Sequence, residues 1–326
     1  MRAITISQYG EPDVLTEVEL PDPHPGPGQI SIDVTHAAVG MIDVIFRRGD
    51  LAGDDRYPAP PFVPGIEVAG TVREVGDAVE QFTVGESVVT LSLVELGGYA
   101  EITVADAART VSLKGLDVDP AQAVAVLPNA VTAHLALTQA VTVRDEATVL
   151  VHGVTGGLAS AFPAVARALG ARRVIGTVVN EQQMAQARSL GIDHVLLGSD
   201  FPDGLDGEKV DLIVDPVGGE LRKASLDALN PEGRLLIVGH ASPNADEPFT
   251  GDDLWGRSIG AVGFVVGTFL QADPTRARPA LDAVASLVTD RTLSVPVQTL
   301  PLADAVAAHQ HLQNRTNTGR LILTNG

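Results

Sequence analysis

The stretch ATVLVHGVTGGLASAFPAVARALGARRVIGT, Ala147 to Thr177, reads as strand, glycine turn, helix and second strand. Thr148 to Val151 are β-branched or aliphatic without interruption, the pattern of a strand buried on both faces. Gly153, Gly156 and Gly157 follow at once, and Leu158 to Leu169 is an Ala-rich run that reads as a helix packed on a sheet. Pro163 lies inside that run, so the helix either kinks there or tolerates proline in its first turn. Gly170 closes the helix and Arg173 to Thr177 forms the next strand. A strand that turns sharply into a helix needs positive φ or the absence of a side chain. A dinucleotide pyrophosphate needs the same close backbone approach, together with the free N–H groups of a helix start. The whole unit therefore predicts dinucleotide binding, against the plainer alternative of an α/β turn with no ligand.

Outward from this unit, strands and helices alternate. A helix is expected over Glu181 to Leu190, a strand over His194 to Leu197, and a strand over Asp211 to Asp215. A helix over Gly219 to Leu229 and a strand over Arg234 to Gly239 follow, with Ala261 to Val266 as a last strand. This order predicts a doubly wound parallel sheet. Upstream, Asp119 is a helix N-cap candidate with Pro120 at the first helical position of a run reaching Leu137.

Residues before about 120 carry short alternating runs at Ala3 to Ser7, Ile30 to Thr35, Glu67 to Val75 and Ser87 to Leu93, a β-rich, barrel-like pattern. Met41 to Arg48, bracketed by Gly40 and Gly49, suits one short helix, and residues 50 to 64 form a proline-punctuated loop carrying Tyr57 and Phe62. The tail holds a helix over Arg278 to Val288, a strand near Val295 to Leu300, a helix over Leu302 to Gln313 and a strand over Arg320 to Thr324. It is expected to return to the first domain. The domain reading is residues 1–120 with 268–326 as one domain and 121–267 as the dinucleotide-binding domain.

The chain has 326 residues, no cysteine and a net charge of −19. The first bounds it to about two domains. The second excludes disulfides, thiolate zinc, iron–sulfur clusters and cysteine nucleophiles. The third disfavours nucleic acid and anionic lipid as partners. The start, MRAITISQYG, lacks an apolar leader, and no uninterrupted apolar run has spanning length, so a soluble cytoplasmic protein without membrane contact is expected. The eight histidines form no metal pattern. His309 and His311 diverge by about 200° on a helix and read as solvated, whereas His152 reads as a satisfied buried histidine.

Six motifs in order resemble the medium-chain dehydrogenase/reductase family, in its zinc-independent quinone oxidoreductase (zeta-crystallin-like) branch. They are FVPGIEVAGTV (Phe62 to Val72), VGDAVEQFTVGESV (Val75 to Val88), GGYAE (Gly97 to Glu101), VLVHGVTGGLA (Val149 to Ala159), VDPVGG (Val214 to Gly219) and NTGR (Asn317 to Arg320). The resemblance implies an α/β fold: a β-rich GroES-like catalytic domain plus a Rossmann doubly wound parallel sheet. The family's zinc enzymes carry ligands where this chain has Gly40, Ile66 and Pro128, so no metal site is expected.

The implied activity is hydride transfer from NADPH, with NADH possible, to a quinone or an α,β-unsaturated carbonyl. Such acceptors take hydride without a Lewis acid because conjugation spreads the developing charge. The second strand ends GTVVN with no acid, which leaves room for the 2′-phosphate of NADPH, although Gln183 and Gly198 stand where relatives often carry Lys and Tyr. The resemblance places the cofactor on Thr132, Gly153, Thr155, Gly156, Gly157, Leu158, Thr177, Asn180, Gly239, His240, Phe264, Val265 and Arg315.

The expected pocket is lined by Ile45, Tyr57, Asn129, His134 and Phe264. It is more apolar than in relatives, which place Asn at Gly40 and Tyr at Ile45. Asp43 is expected to hold loop backbone. A homodimer through the edge of the cofactor sheet is implied. The alternatives are an enoyl reductase acting on a biosynthetic thioester and a cofactor-binding relative with little turnover.

Overall fold

The computed structural model describes residues 1–54, 58–91, 96–242, 244, 248–317 and 319–325. The chain forms two compact units, Met1–Pro128 with Leu270–Gly326, and Asn129–Phe269.

The first unit opens with a two-stranded antiparallel ribbon, β1 (Arg2–Ile6) and β2 (Leu15–Glu19). Next come the long β3 (Gln29–Val39), helix α1 (Met41–Arg48), β4 (Val68–Val75), β5 (Ser87–Thr90), β6 (Ile102–Asp106) and β7 (Thr110–Ser112). Helix α1 lies where Gly40 and Gly49 bracket it; Gly49 ends it in the left-handed region at φ 81°. Two register shifts between β3 and β4 bend the pair.

Helix α2 (Pro120–Leu135) starts on Asp119, whose Oδ1 accepts from the N–H groups of Ala121 (2.9 Å) and Gln122 (3.3 Å). A π-turn over Ala136–Ala140 extends it. By length and composition Pro120–Ala140 could cross a membrane, but 83% of its apolar window is buried, which makes it a core helix.

The second unit is a six-stranded sheet built from β8 (Thr148–Val151), β9 (Arg173–Val178), β10 (His194–Leu197), β11 (Val210–Asp215), β12 (Leu229–Ile237) and β13 (Gly260–Gly263). Its order is β10-β9-β8-β11-β12-β13 and every pair is parallel. Its helices are α3 (Phe162–Ala168), α4 (Met184–Ser189), α5 (Glu220–Ala228) and α6 (Gly251–Trp255), with α7 (Val266–Ala272) at the boundary. Leu150, Ile175, Ile213 and Leu235, one from each of four strands, are fully buried at its centre.

The tail rejoins the first unit, as expected: α8 (Ala277–Thr289), β14 (Val297–Pro301), α9 (Ala305–Gln313) and β15 (Arg320–Thr324). Strand β15 pairs antiparallel with β3 and so adds itself and its parallel partner β14 to a seven-stranded sheet.

Several sequence expectations change; the helices expected from Glu181 and Leu302 open as 3-10 turns and become α-helical only at Met184 and Ala305. The helix expected from Leu158 begins as a 3-10 turn over Ala159–Ala161, and α3 starts only at Phe162. Pro163 thus sits in the first turn, where its missing N–H costs nothing, and no kink follows. Strand β12 starts five residues earlier than Arg234, at Leu229. The last strand stops at Gly263 rather than Val266, because Phe264 and Val265 lead into α7. His309, expected on a solvated face, is fully buried in α9 beside Ala305 and Ala308.

Candidate functional site

The sheet reverses direction of travel between β8 and β11, its first and fourth strands. At such a switch point the loops leaving the two strands diverge and open a crevice at their carboxyl ends. The glycine turn leaves β8 there. Gly153 takes φ 58°, and a Cβ on it would stand 3.1 Å from Val217 Cγ2; a Cβ on Gly156 would stand 3.1 Å from the Gly153 carbonyl oxygen. The turn closes through Gly156 N–H donating to Gly153 O at 2.8 Å. The N–H groups of Thr155, Gly157 and Leu158 donate to no acceptor among the described residues. A turn with three glycines and three open amides at a helix start fits a pyrophosphate.

Beneath the turn runs a hydrogen-bond chain whose direction can be deduced. Ser225 Oγ donates to Leu221 O at 2.7 Å, so its proton is spent and it accepts from His152 Nε2 at 2.9 Å. His152 is fully buried, and burial pushes its pKa down to about 4, so the ring is neutral and Nδ1 is an acceptor. Thr177 Oγ1 therefore donates to Nδ1 at 3.1 Å and accepts from Gly153 N–H at 3.1 Å. His152 is the satisfied buried histidine that was expected. Thr177, named as a cofactor contact, has its hydroxyl consumed in this chain and supports the turn from below.

A second support was not foreseen. Asp215, at the end of β11, is completely buried, and its Oδ1 accepts from the N–H groups of Val217 and Gly218, both at 2.8 Å. Arg222 on α5 donates through Nε to Asp215 Oδ2 at 2.6 Å and through Nη2 to Gly239 O at 2.6 Å. The only hint in the sequence was an acid and an arginine seven apart across VGG, too common a spacing to single out.

The other named residues divide by unit. In the second unit, Gly239 and His240 are exposed just beyond β12, and a Cβ on Gly239 would stand 2.9 Å from Pro216 O. Asn180 caps the next helical turn, its Oδ1 accepting from Gln183 N–H at 3.1 Å, while Gln183 Oε1 accepts from Val179 N–H at 3.1 Å. Phe264 is buried against Phe269 with ring centroids 5.1 Å apart, and Val265 is exposed. Asn129 and Thr132, three apart on α2, are both buried on one helix side. His134, two further on, turns away from Thr132; it is half-buried and burial lowers its pKa.

In the first unit, Ile45 is half-buried on α1 and Arg315 is exposed at the end of α9 with φ 57°. Tyr57 lies outside the described residues. Asp43 holds loop backbone as expected, accepting from Gly40 N–H at 2.8 Å and Gly65 N–H at 3.1 Å. Burial pushes its pKa up to about 7. Arg320 pairs with the buried Glu67, whose carboxyl is also raised by burial. No group of three or more metal-ligating side chains occurs among the described residues.

A 3-2-1-4-5-6 parallel sheet with a glycine turn on its first strand defines a Rossmann dinucleotide-binding unit. Two family models match the chain: the alcohol dehydrogenase GroES-like domain over residues 26–115 and the zinc-binding dehydrogenase over residues 157–286. A 2-haloacrylate reductase of a Burkholderia species is 32% identical, covering 98% of this chain and 98% of that protein. A quinone oxidoreductase of Pseudomonas aeruginosa is 30% identical over 99% of each. The solved Escherichia coli quinone oxidoreductase complexed with NADPH superposes with a TM-score of 0.88 at 25% identity, covering 100% of both chains.

The chain belongs to the medium-chain dehydrogenase/reductase family, in its zinc-independent, quinone oxidoreductase-like branch. It combines a GroES-like unit with a Rossmann unit and is an NAD(P)H-dependent oxidoreductase.

Proposed function

We propose that this protein reduces a quinone or an α,β-unsaturated carbonyl with NADPH and without a catalytic metal. The observation that carries the reading is the Gly153–Leu158 turn, whose open amides and missing side chains fit a pyrophosphate at the switch point of the sheet. The relatives support the chemistry: one is named for a haloacrylate, an activated alkene, another for quinones, and a third is complexed with NADPH.

The turn would hold the pyrophosphate, and Gly239, His240, Phe264 and Val265 would border the nicotinamide half. Thr132 belongs to the same reading, with Asn129, His134, Ile45 and Tyr57 as pocket residues and Arg315 and Asn180 toward the adenosine end. Bound NADPH supplies the hydride. The protein orients it and excludes water, and a conjugated acceptor spreads the negative charge that a zinc ion would otherwise stabilise.

Zinc-free operation follows from Gly40, Ile66 and Pro128, none of which can ligate. The division of labour is part of the proposal, with residues 1–120 and 268–326 catalytic and 121–267 dinucleotide-binding, as are a cytoplasmic location and a homodimer. The dimer reading rests on β13, an edge strand of small and half-buried residues with an open backbone ladder on one side.

Mixing NADPH-loaded protein with quinones, enones and haloacrylates tests the activity. Loss of absorbance at 340 nm with at least one acceptor class is expected. No oxidation of NADPH across the panel would favour the reading of a cofactor binder without turnover.

A further inference from the structure

We propose that Arg222 is a positioning residue that sets the loop after β12 against the cofactor, acting from inside the protein. The inference rests on the reading that the carboxyl edge of the parallel sheet holds NADPH.

Two loops meet at that edge, one leaving β11 and the other leaving β12. Their backbones are stitched by Val238 N–H to Asp215 O (2.9 Å), Ala241 N–H to Pro216 O (3.2 Å) and Ser242 N–H to Val217 O (2.8 Å). These bonds fix the loops to each other. The first of them continues the β11–β12 ladder; Arg222 adds a side-chain tie from helix α5 to both loops. Its guanidinium is buried on α5 and spans the Asp215 carboxylate and the Gly239 carbonyl, with both bonds at 2.6 Å. The carboxylate in turn organises the turn through Val217 and Gly218.

Gly239 itself is exposed while the group holding it is not. Arg222 thus determines where an edge residue stands without reaching solvent or ligand. Arginine suits this task because its planar fork serves two acceptors at once, whereas a lysine ammonium on a shorter reach serves Asp215 and lets Gly239 go.

The same helix holds the other side of the crevice. Ser225, three residues along α5, ends the chain that runs through His152 and Thr177 to the Gly153 amide. One helix therefore references the loops after β8, β11 and β12 to a common body.

The test is NADPH titration of the full-length protein and its R222K and R222Q variants, with thermal melts and steady-state kinetics alongside. G239A is a second perturbation of the same loop, since its Cβ would press on Pro216 O. R222K is expected to melt close to the unmodified protein, to bind NADPH about tenfold more weakly, and to leave the KM for the acceptor unchanged. G239A should reproduce that pattern, and R222Q serves if R222K does not fold. Unchanged NADPH affinity in R222K or R222Q, with or without a lower melting temperature, overturns the inference. So does weakened binding in G239A alone. If the unmodified protein binds no NADPH, the functional reading fails and takes this inference with it.

Discussion

The two units bury polar groups on opposite terms, and their fully buried histidines show it. His152, in the Rossmann unit, has both ring nitrogens engaged in a chain of fixed direction. His309, in the GroES-like unit, meets Tyr99 Oη at 3.2 Å through Nε2, while its Nδ1 finds no hydrogen-bond partner among the described residues. The contrast is general. Every buried side-chain nitrogen or oxygen without a hydrogen-bond partner among the described residues belongs to the first unit: in Ser31, Arg47, Arg109, His309, Arg320 and Asn325. Arg47 is the extreme case, fully buried, with Nε and one terminal nitrogen unmatched among the described residues and the other donating to Gln313 Oε1 at 2.8 Å. Buried polar atoms are costly when unmatched and specify geometry when matched. The first unit also matches some of its own, Asp43 among them, but the matched His152, Thr177, Asp215 and Arg222 of the second unit lie beneath the proposed cofactor edge, where a displaced amide would cost binding.

If this contrast is right, the largest loss follows from breaking the matched ion pair. Asp215→Ala removes the partner of the buried Arg222 charge and the acceptor of the Val217 and Gly218 N–H groups, at a cost of about 3–5 kcal/mol. A urea melt should show a collapsed midpoint or no soluble protein.

The next effect is a pH dependence placed in the first unit. Asp43 has a folded pKa of about 7 against an ordinary 3.8, so between those values the folded state holds a proton that the unfolded state has lost. Stability from this group is complete below about pH 4 and declines as pH rises to about 7, by something on the order of 4 kcal/mol. His152 and His309, lowered by burial to about 4 and about 3, act in the reverse sense, losing stability as pH falls below 6.5. Asp43→Asn should therefore remove the decline in melting temperature that Asp43 imposes as pH rises from about 4 to about 7, and leave the histidines' loss toward low pH in place.

Thr177→Val comes third. It leaves both Gly153 N–H and His152 Nδ1 unmatched, worth about 2–3 kcal/mol. Weaker NADPH binding should accompany the lower melting temperature. The smallest effect is expected at the other histidine. His309→Phe deletes one hydrogen bond but also an unmatched nitrogen, so thermal melting should place it within about 1 kcal/mol of the unmodified protein. A large loss there would erase the contrast between the units.

Much of this was legible in the sequence. The glycine turn could be read because a buried strand, three close glycines and an Ala-rich helix agree with one another at every level. Helix α1 could be read from the glycines at its ends.

His309 was misread for a definable reason. Spacing shows that His309 and His311 face apart, but not which of them faces inward. Ala305, Ala308 and Leu312 repeat at helical intervals and place His309 on their side, so the signal was present. The Asp215–Arg222–Gly239 clamp was illegible. It depends on how a strand end, a helix and a distant loop converge, and no periodicity encodes that. The support that the Thr177 hydroxyl gives to Gly153 and His152 was also illegible, since position in a motif does not tell which groups a hydroxyl meets.

The most direct test of the account is a fluorescence titration of NADPH into the unmodified protein and into Gly156→Val, whose Cβ would crowd the Gly153 carbonyl. Saturable binding of one NADPH per chain, abolished or strongly weakened by the valine, is the predicted result. A flat titration of the unmodified protein, or equal binding by the variant, would contradict the claim that this glycine turn holds the cofactor.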